Sequence, residues 1–256
     1  MSFQVAAEAY DRFMGRFSRP LATAFADWAL ARPDGDAAAT AVDVGCGPGA
    51  LTEVLADRLG QASVTAADPS PPVVAAARER MPGVEVVEAR AEALPFADAA
   101  FDAALAQLVV HFMTDPPAGV AEMRRVTRPG GVVALNVWDF DSHRAPQSLF
   151  FEALLEVMPG ADDEVARAGA RRGQLATLLT GAGCADVEES ELAVSVEFAS
   201  FAEWWEPYTL GVGPAGAQLA RLDAEGRESV RRRCERLLPP APFRIDAVAW
   251  SAKGTA

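Results

Sequence analysis

The sequence predicts an α/β fold in which a mostly parallel sheet carries helices on both faces. Three observations lead there. In the first half, short continuous apolar runs alternate with helical ones, as in strands buried on both sides. One such run leads through a glycine-rich stretch directly into a helical pattern. The second half holds two long strand-like stretches that enclose helical residues.

The elements follow in order. TAVDVG (40–45) reads as a strand, and GALTEVLADRLG as a helix ending at Gly60. SVTAAD (63–68) is the next strand. SPPVVAAARERM then starts a helix, with Ser70 at the N-cap and Pro71 in the first turn, where its missing N–H costs nothing. VEVVEA (84–89) and FDAALAQL (101–108) are strands, DPPAGVAEMRRVT is a helix capped by Asp115, and GGVVALNVW (130–138) is a fifth strand. Helical stretches over 146–158 and 170–182 lead to ADVEESELAVSVEF (185–198), a long alternating strand. Residues 200–240 read as helical, with Trp204, Trp205 and Tyr208 near their start, and FRIDAVAWSAKG (243–254) as a last strand. Two strands around a helical insertion suggest an antiparallel extension of the sheet with a cap above it.

Composition narrows the partners. The 256 residues fit one large α/β domain or a domain with a cap, and half of them are hydrophobic. No apolar run approaches membrane-spanning length. The opening MSFQVAAEAYDRFMGRFSRP lacks a signal-peptide core, and Cys46, Cys184 and Cys234 lie far apart with no metal spacing. Both features predict reduced thiols and a cytoplasmic location. A formal net charge of −13 repels nucleic acid and anionic membrane, so a small molecule is the expected partner. The run Arg231, Arg232, Arg233 stands among Glu225, Glu228 and Glu235 and reads as a solvated face with local ion pairs.

The glycine stretch, AVDVGCGPGALTEVLADRLG, carries Gly45, Gly47 and Gly49 at alternate positions between a strand and a helix. Its amides face whatever lies beyond the C-terminal edge of the sheet. GCGPGA also satisfies the dinucleotide pattern, and Asp68 follows at about the right distance, so a nicotinamide-dependent oxidoreductase is the alternative reading. Four features separate the two. Asp43, two residues before Gly45, faces a cationic amine better than a pyrophosphate, and Pro48 stiffens the turn. ARAEALPF (89–96) follows the third strand where a loop can reach a purine. RRVTRPGG (124–131) turns the fourth helix sharply into the fifth strand. Together these residues resemble the class I S-adenosylmethionine-dependent methyltransferases, in particular the small-molecule branch akin to quinone-biosynthesis methyltransferases. The resemblance covers about residues 36–140, and YDRFMGRFSRPLA is similar to the N-terminal cap of some members.

The resemblance implies a Rossmann-like sheet of seven strands whose last strand runs antiparallel, paired with its predecessor at one edge. It implies one methyltransferase domain over residues 1–256. Residues 1–35 would be a helical lid, 36–140 the cofactor-binding core, and 141–256 a C-terminal half with a helical cap at about 200–240. S-adenosyl-L-methionine would be the cofactor, S-adenosyl-L-homocysteine its product and a small molecule the methyl acceptor. Gly45, Gly47 and Gly49 would let the methionine portion lie against the backbone, and Asp43 would orient its ammonium group. Asp68 would accept from both ribose hydroxyls, Ala91 and Glu92 would line the adenine, and Gln107 would sit below the methionine portion. Where the family often has Asp this chain has Arg90, which accepts no bond from the adenine amino group, so recognition there falls to backbone groups or Glu92. For the methionine carboxylate the candidates are Arg16, with Tyr10 at the same end of the ligand.

An activated sulfonium methyl needs alignment and exclusion of water more than covalent help, so no triad or metal cluster is required. DPPA (115–118) shares three residues with the D-P-P-aromatic signature of nucleic-acid amino methyltransferases but lacks the aromatic, and a helix cap explains it better. His111, just past the fourth strand, is the candidate base, the alternative being a buried loop histidine. His143 lies in the loop after the fifth strand. Trp204, Trp205, Tyr208, Phe13 and Met14 either roof an apolar acceptor or pack between helices.

Overall fold

The structure, a computed structural model, describes residues 11–31, 38–211 and 213–256, with side chains from residue 13 onward. A π-helical turn over Asp11–Gly15 runs into α1 (Arg16–Leu30). The parallel half follows: β1 (Ala41–Val44), α2 (Ala50–Leu59), β2 (Val64–Asp68), α3 (Pro71–Arg80), β3 (Glu85–Glu88), β4 (Phe101–Gln107), α4 (Pro116–Val126) and β5 (Thr127–Trp138). The second half holds α5 (Ser148–Val157), α6 (Gln174–Gly181), β6 (Ala185–Phe198), α7 (Phe201–Thr209), α8 (Gly213–Ala220), α9 (Ala224–Leu237) and β7 (Phe243–Thr255). Among the described residues no helix is long and apolar enough to cross a membrane.

The seven strands stand in the order β3-β2-β1-β4-β5-β7-β6. β1 to β5 pair in parallel, whereas β7 is antiparallel to both its neighbours, β5 and β6. The order reverses between β1 and β4, which opens a crevice at the carboxyl ends of those strands. Each face of the sheet is covered. Phe25, Leu51, Leu55 and Val74 bury one side beneath α1, α2 and α3. Val120, Met123, Phe150, Leu154 and Leu175 bury the other. β6 is one of the two edge strands, with β3 at the other, and exposed charges such as its Glu188, Glu189 and Glu191 disfavour pairing with another chain.

Local chemistry explains the boundaries. Asp115 accepts from the Ala118 amide at 3.1 Å and caps α4, as its place before two prolines requires. Ser70 occupies the N-cap of α3, but its side chain makes no cap bond; its amide is held instead by Asp68, at 2.9 Å. The helical stretch over 200–240 is three helices rather than one. Gly211 and Gly213 both take positive φ between α7 and α8, and Asp223 caps α9 through the Gly226 amide at 2.8 Å.

β5 starts three residues earlier than the apolar run, because RPGG is a bulge inside the strand. Pairing shifts from Phe101↔Thr127 to Ala103↔Val132 across it. The bulge presses Gly131 onto its neighbour: a Cβ there would lie 2.6 Å from the Asp102 carbonyl oxygen and 2.8 Å from that of Arg128. Asp102 holds the same corner from the side, accepting from the amides of Ala39 and Thr40 at 2.7 and 2.8 Å. Gly131→Ala is therefore expected to lower the unfolding free energy by about 1–3 kcal/mol in urea melts. Gly130→Ala, where φ is +78° but nothing lies within 4 Å, should cost only about 1–2 kcal/mol for the left-handed backbone.

Candidate functional site

A cleft of about 460 Å³ lies at the carboxyl ends of β1, β2 and β4, where the strand order reverses. The turn after β1 forms its floor. Gly45 and Cys46 donate to the Ala67 carbonyl at 2.7 and 3.0 Å, and the Gly47 amide donates to Asp68 Oδ2 at 3.0 Å. The turn is thus sewn to the end of β2. Gly47 has φ +52°, and a Cβ on it would meet nothing within 4 Å, because it would project into the open cleft. Gly49 plays another part: it is the N-cap of α2, outside the cleft lining, and its Cβ would strike Met81 at 2.7 Å.

Of the residues singled out from the sequence, Asp43, Gly45, Gly47, Asp68, Ala91, Glu92 and Gln107 line this one cleft. Asp43 is 1% exposed and its Oδ2 accepts from the Thr52 hydroxyl at 2.6 Å. Burial, aided by the neighbouring Asp68 and opposed by Thr52, raises it to about 7. Asp68 already receives one amide on each oxygen, from Ser70 and from Gly47, which leaves each oxygen a further lone pair. Burial pushes its pKa up, and those two amides offset part of the rise. Between them, the Cys46 thiol is raised by its burial and by both carboxylates, so it stays protonated.

The far end of the cleft holds Ala91 and Glu92. Glu92 Oε1 accepts from the amides of Thr114 and Asp115 at 2.7 and 3.2 Å, and its Oε2 lies 3.5 Å from Arg90 Nε. Arg90, also at the cleft, donates to the Thr114 hydroxyl at 2.5 Å. Gln107 donates to the Ser18 carbonyl at 3.0 Å, which moors α1 over the cleft, while its Oε1 is buried with no hydrogen-bond partner.

Two candidates lie elsewhere. Arg16 does not line the cleft: its guanidinium pairs with Glu203 at 2.6 Å and sits over the Phe198 ring at 4.3 Å. On the same helix Arg19 does line the cleft, and it bonds Glu53 at 2.9 Å. Arg19 follows Arg16 by three residues, one short turn on along the helix, and that spacing is the signal available in the sequence. His111 also lies outside the lining. Its ring packs at a tilt against Phe112, 4.0 Å between centroids, and approaches Phe140 at 5.9 Å. Burial, with the Arg167 charge beside it, lowers its pKa to about 3, so it is a neutral imidazole and a weak proton acceptor at pH 7. Tyr10 falls outside the described residues.

His143 is exposed on its turn. The aromatic group is packed: Tyr208 stacks on Phe150 at 4.3 Å, meets Phe13 edge-on at 4.9 Å and is 3% exposed, while Trp204 is 2% exposed. These rings hold α5, α7 and the start of the chain together.

Comparison with known proteins agrees with this geometry. A family profile described as a methyltransferase domain matches residues 42–135, which span β1 to β5. The trans-aconitate 2-methyltransferase of Azoarcus sp. (strain BH72) is 40% identical over 118 residues, covering 45% of this chain and 46% of that protein. That of Methylobacterium nodulans is 33% identical over 190 residues, 70% of this chain and 68% of that protein. The chain thus spans about half the length of the first relative and two-thirds of the second. In a crystal structure of a Bacillus halodurans C-125 protein assigned to the methyltransferases, the same fold recurs. Its TM-score is 0.58 at 18% identity, over 91% of this chain and 97% of that one. These likenesses extend beyond the glycine turn to the loops after β3 and β4, and they do not favour a nicotinamide-dependent oxidoreductase. By sequence and by fold, the chain belongs to the class I S-adenosylmethionine-dependent methyltransferases.

Proposed function

We propose that the protein transfers a methyl group from S-adenosyl-L-methionine to a small-molecule acceptor, with the cleft as its cofactor site. The observation that carries this reading is Gly47, whose bare backbone faces the cleft between two buried carboxylates. The donors and acceptors present fit the ligand. Asp43 suits an ammonium group, Asp68 retains lone pairs for two hydroxyls, and the Gln107 carbonyl oxygen lacks a partner. When bound, the cofactor supplies a methyl group already activated by its sulfonium charge. The protein's own residues bind and orient it: the glycine turn carries the methionine portion, Asp68 the ribose and Ala91 with Glu92 the adenine. Arg19, in place of Arg16, is the cation for the methionine carboxylate. α1, moored by Gln107, covers that end and keeps water from the transfer path.

Titration calorimetry with S-adenosylhomocysteine tests the reading, with NADH as the control that should not bind. Asp68→Ala is expected to weaken S-adenosylhomocysteine by roughly 2–4 kcal/mol, about 30- to 1000-fold, since it removes charge-assisted bonds and the anchor of the turn. An affinity within threefold of the parent would sink the assignment. Arg19→Gln should lose about 10- to 100-fold, the worth of one charge-assisted bond, and Arg16→Gln almost nothing.

Asp43 makes the binding pH-dependent. Its folded pKa, about 7, lies above its ordinary 3.8, so the folded protein keeps a proton that the unfolded chain loses. The ligand-free protein therefore loses stability from this residue as pH rises from about 4 to 7, and an arriving ammonium group releases the proton. Affinity for S-adenosylhomocysteine should climb with pH up to about 7 and then level off. Asp43→Asn keeps the Thr52 bond and removes the charge. It should stabilise the ligand-free protein at pH 8 by something on the order of 1–4 kcal/mol, leave it unchanged at pH 4, and weaken binding. Thermal melts at the two pH values decide this: equal melting temperatures for both proteins at pH 8 would contradict it.

A further inference from the structure

A second polar cluster lies beyond the carboxyl ends of β4 and β5, behind the cleft. His111 follows β4, Gln147 is the N-cap of α5, and Glu164 and Arg167 come from the segment between α5 and α6. Gln147 Nε2 donates to Glu164 Oε2 at 3.3 Å. Arg167 holds Asp162 at 2.6 Å and lies 3.2 Å from Glu164 Oε1, without the alignment of a hydrogen bond. Gln147 is 4% exposed and Glu164 1%.

Three atoms of this cluster are sealed from solvent with no hydrogen bond: Gln147 Oε1, Glu164 Oε1 and His111 Nδ1. Buried polar atoms are nearly always satisfied, so three in one cluster leave room for a partner that is not part of the chain, a ligand or a buried water. Their chemistry states what kind. The Glu164 carboxylate fixes the Gln147 amide with its NH₂ inward, so the free Gln147 atom is an acceptor, as is Glu164 Oε1 while that carboxyl is ionised. The His111 nitrogen, in a neutral ring, takes either role. Charge points the same way: Arg167 is already faced by two carboxylates, Asp162 and Glu164. Burial raises Glu164 to about 7, against which Arg167 and Gln147 pull, so the cluster does not welcome another anion.

Phe112 joins this cluster to the cleft. Its ring lines the cleft, packs against His111 at a tilt and lies under the Arg167 guanidinium at 5.4 Å. It is nevertheless 56% exposed, a large aromatic open to solvent beside the cleft. On the other side of His111 stands Phe140. An apolar body in the cleft against Phe112 would lie beside this cluster.

We propose that His111, Gln147 and Glu164 form the recognition site for the methyl acceptor, and that they select a hydroxyl or amino compound with an apolar body over a carboxylate. This rests on the methyltransferase reading above and names the acceptor class for it. The three residues act by binding and orienting.

The chain has two histidines, so ¹⁵N-histidine labelling gives two imidazole signals, and His143→Gln, at an exposed turn, assigns them. Benzyl alcohol, benzylamine and benzoate, which share a ring and differ in head group, are titrated with and without S-adenosylhomocysteine. The alcohol or the amine should shift the His111 signal saturably at a concentration at least tenfold below benzoate. Glu164→Gln and Gln147→Leu should each weaken that shift at least fivefold while S-adenosylhomocysteine affinity stays within twofold. Benzoate acting at an equal or lower concentration would overturn the proposal. So would a His111 signal that none of the three moves, as when buried water satisfies these atoms, or probe binding unchanged in both variants. Cofactor binding is read separately by calorimetry, so its failure and the failure of acceptor recognition are told apart.

Discussion

The carboxylate of Asp68 accepts the amide of Gly47 on one oxygen and the amide of Ser70 on the other, and the rest of the site depends on that bridge. It fixes the turn after β1 against the turn after β2, with the Ala67 carbonyl taking two more amides from the same turn. The helices that follow, α2 and α3, then leave the sheet in set directions, and the crevice between them is held open. An apolar residue at position 68 would leave two amides without this partner at the mouth of the crevice. The parallel sheet supplies the crevice by topology, and Asp68 makes it a shape.

Charge in this region runs against stability. Asp43, Cys46 and Asp68 crowd a few residues of backbone, and burial raises the pKa of each. A core selected for stability alone would place apolar groups here. The arrangement makes sense where a cationic partner arrives to take up the field of the two carboxylates. Acid–base chemistry has no such preparation nearby: the neutral, weakly basic His111 suits recognition better than proton abstraction. Methyl transfer by displacement tolerates that, because alignment rather than a base carries most of its rate.

Local rules read from the residues were good at strands, helix starts and the glycine turn. TAVDVG, SVTAAD and the long stretch 185–198 fall on β1, β2 and β6 almost residue for residue, and Asp115 caps its helix. What failed to show was anything set by distant pairing. The RPGG bulge lengthens β5 because Asp102 and Phe101 face it across the sheet. Arg16 and Arg19 share a helical stripe, and only the packing against Glu203 and Glu53 divides them between the surface and the cleft. Gln147, Glu164 and Arg167 carry no motif at all. They meet because the chain between α5 and α6 folds back over the ends of β4 and β5, which no spacing along the sequence encodes.

The place of β7 has a consequence for how the molecule is made. It lies between β5 and β6, so residues 243–255 separate two strands that precede them in the chain. During synthesis on a ribosome, β2, β3, β4 and β5 each emerge to find one neighbour already made. β6 has none until more than forty further residues have followed, and its fourteen residues wait unpaired. Charges such as its exposed glutamates disfavour stray pairing of an orphan strand during that interval. Vectorial assembly thus seals the sheet from within, with a strand that acts as a keystone rather than as a hem.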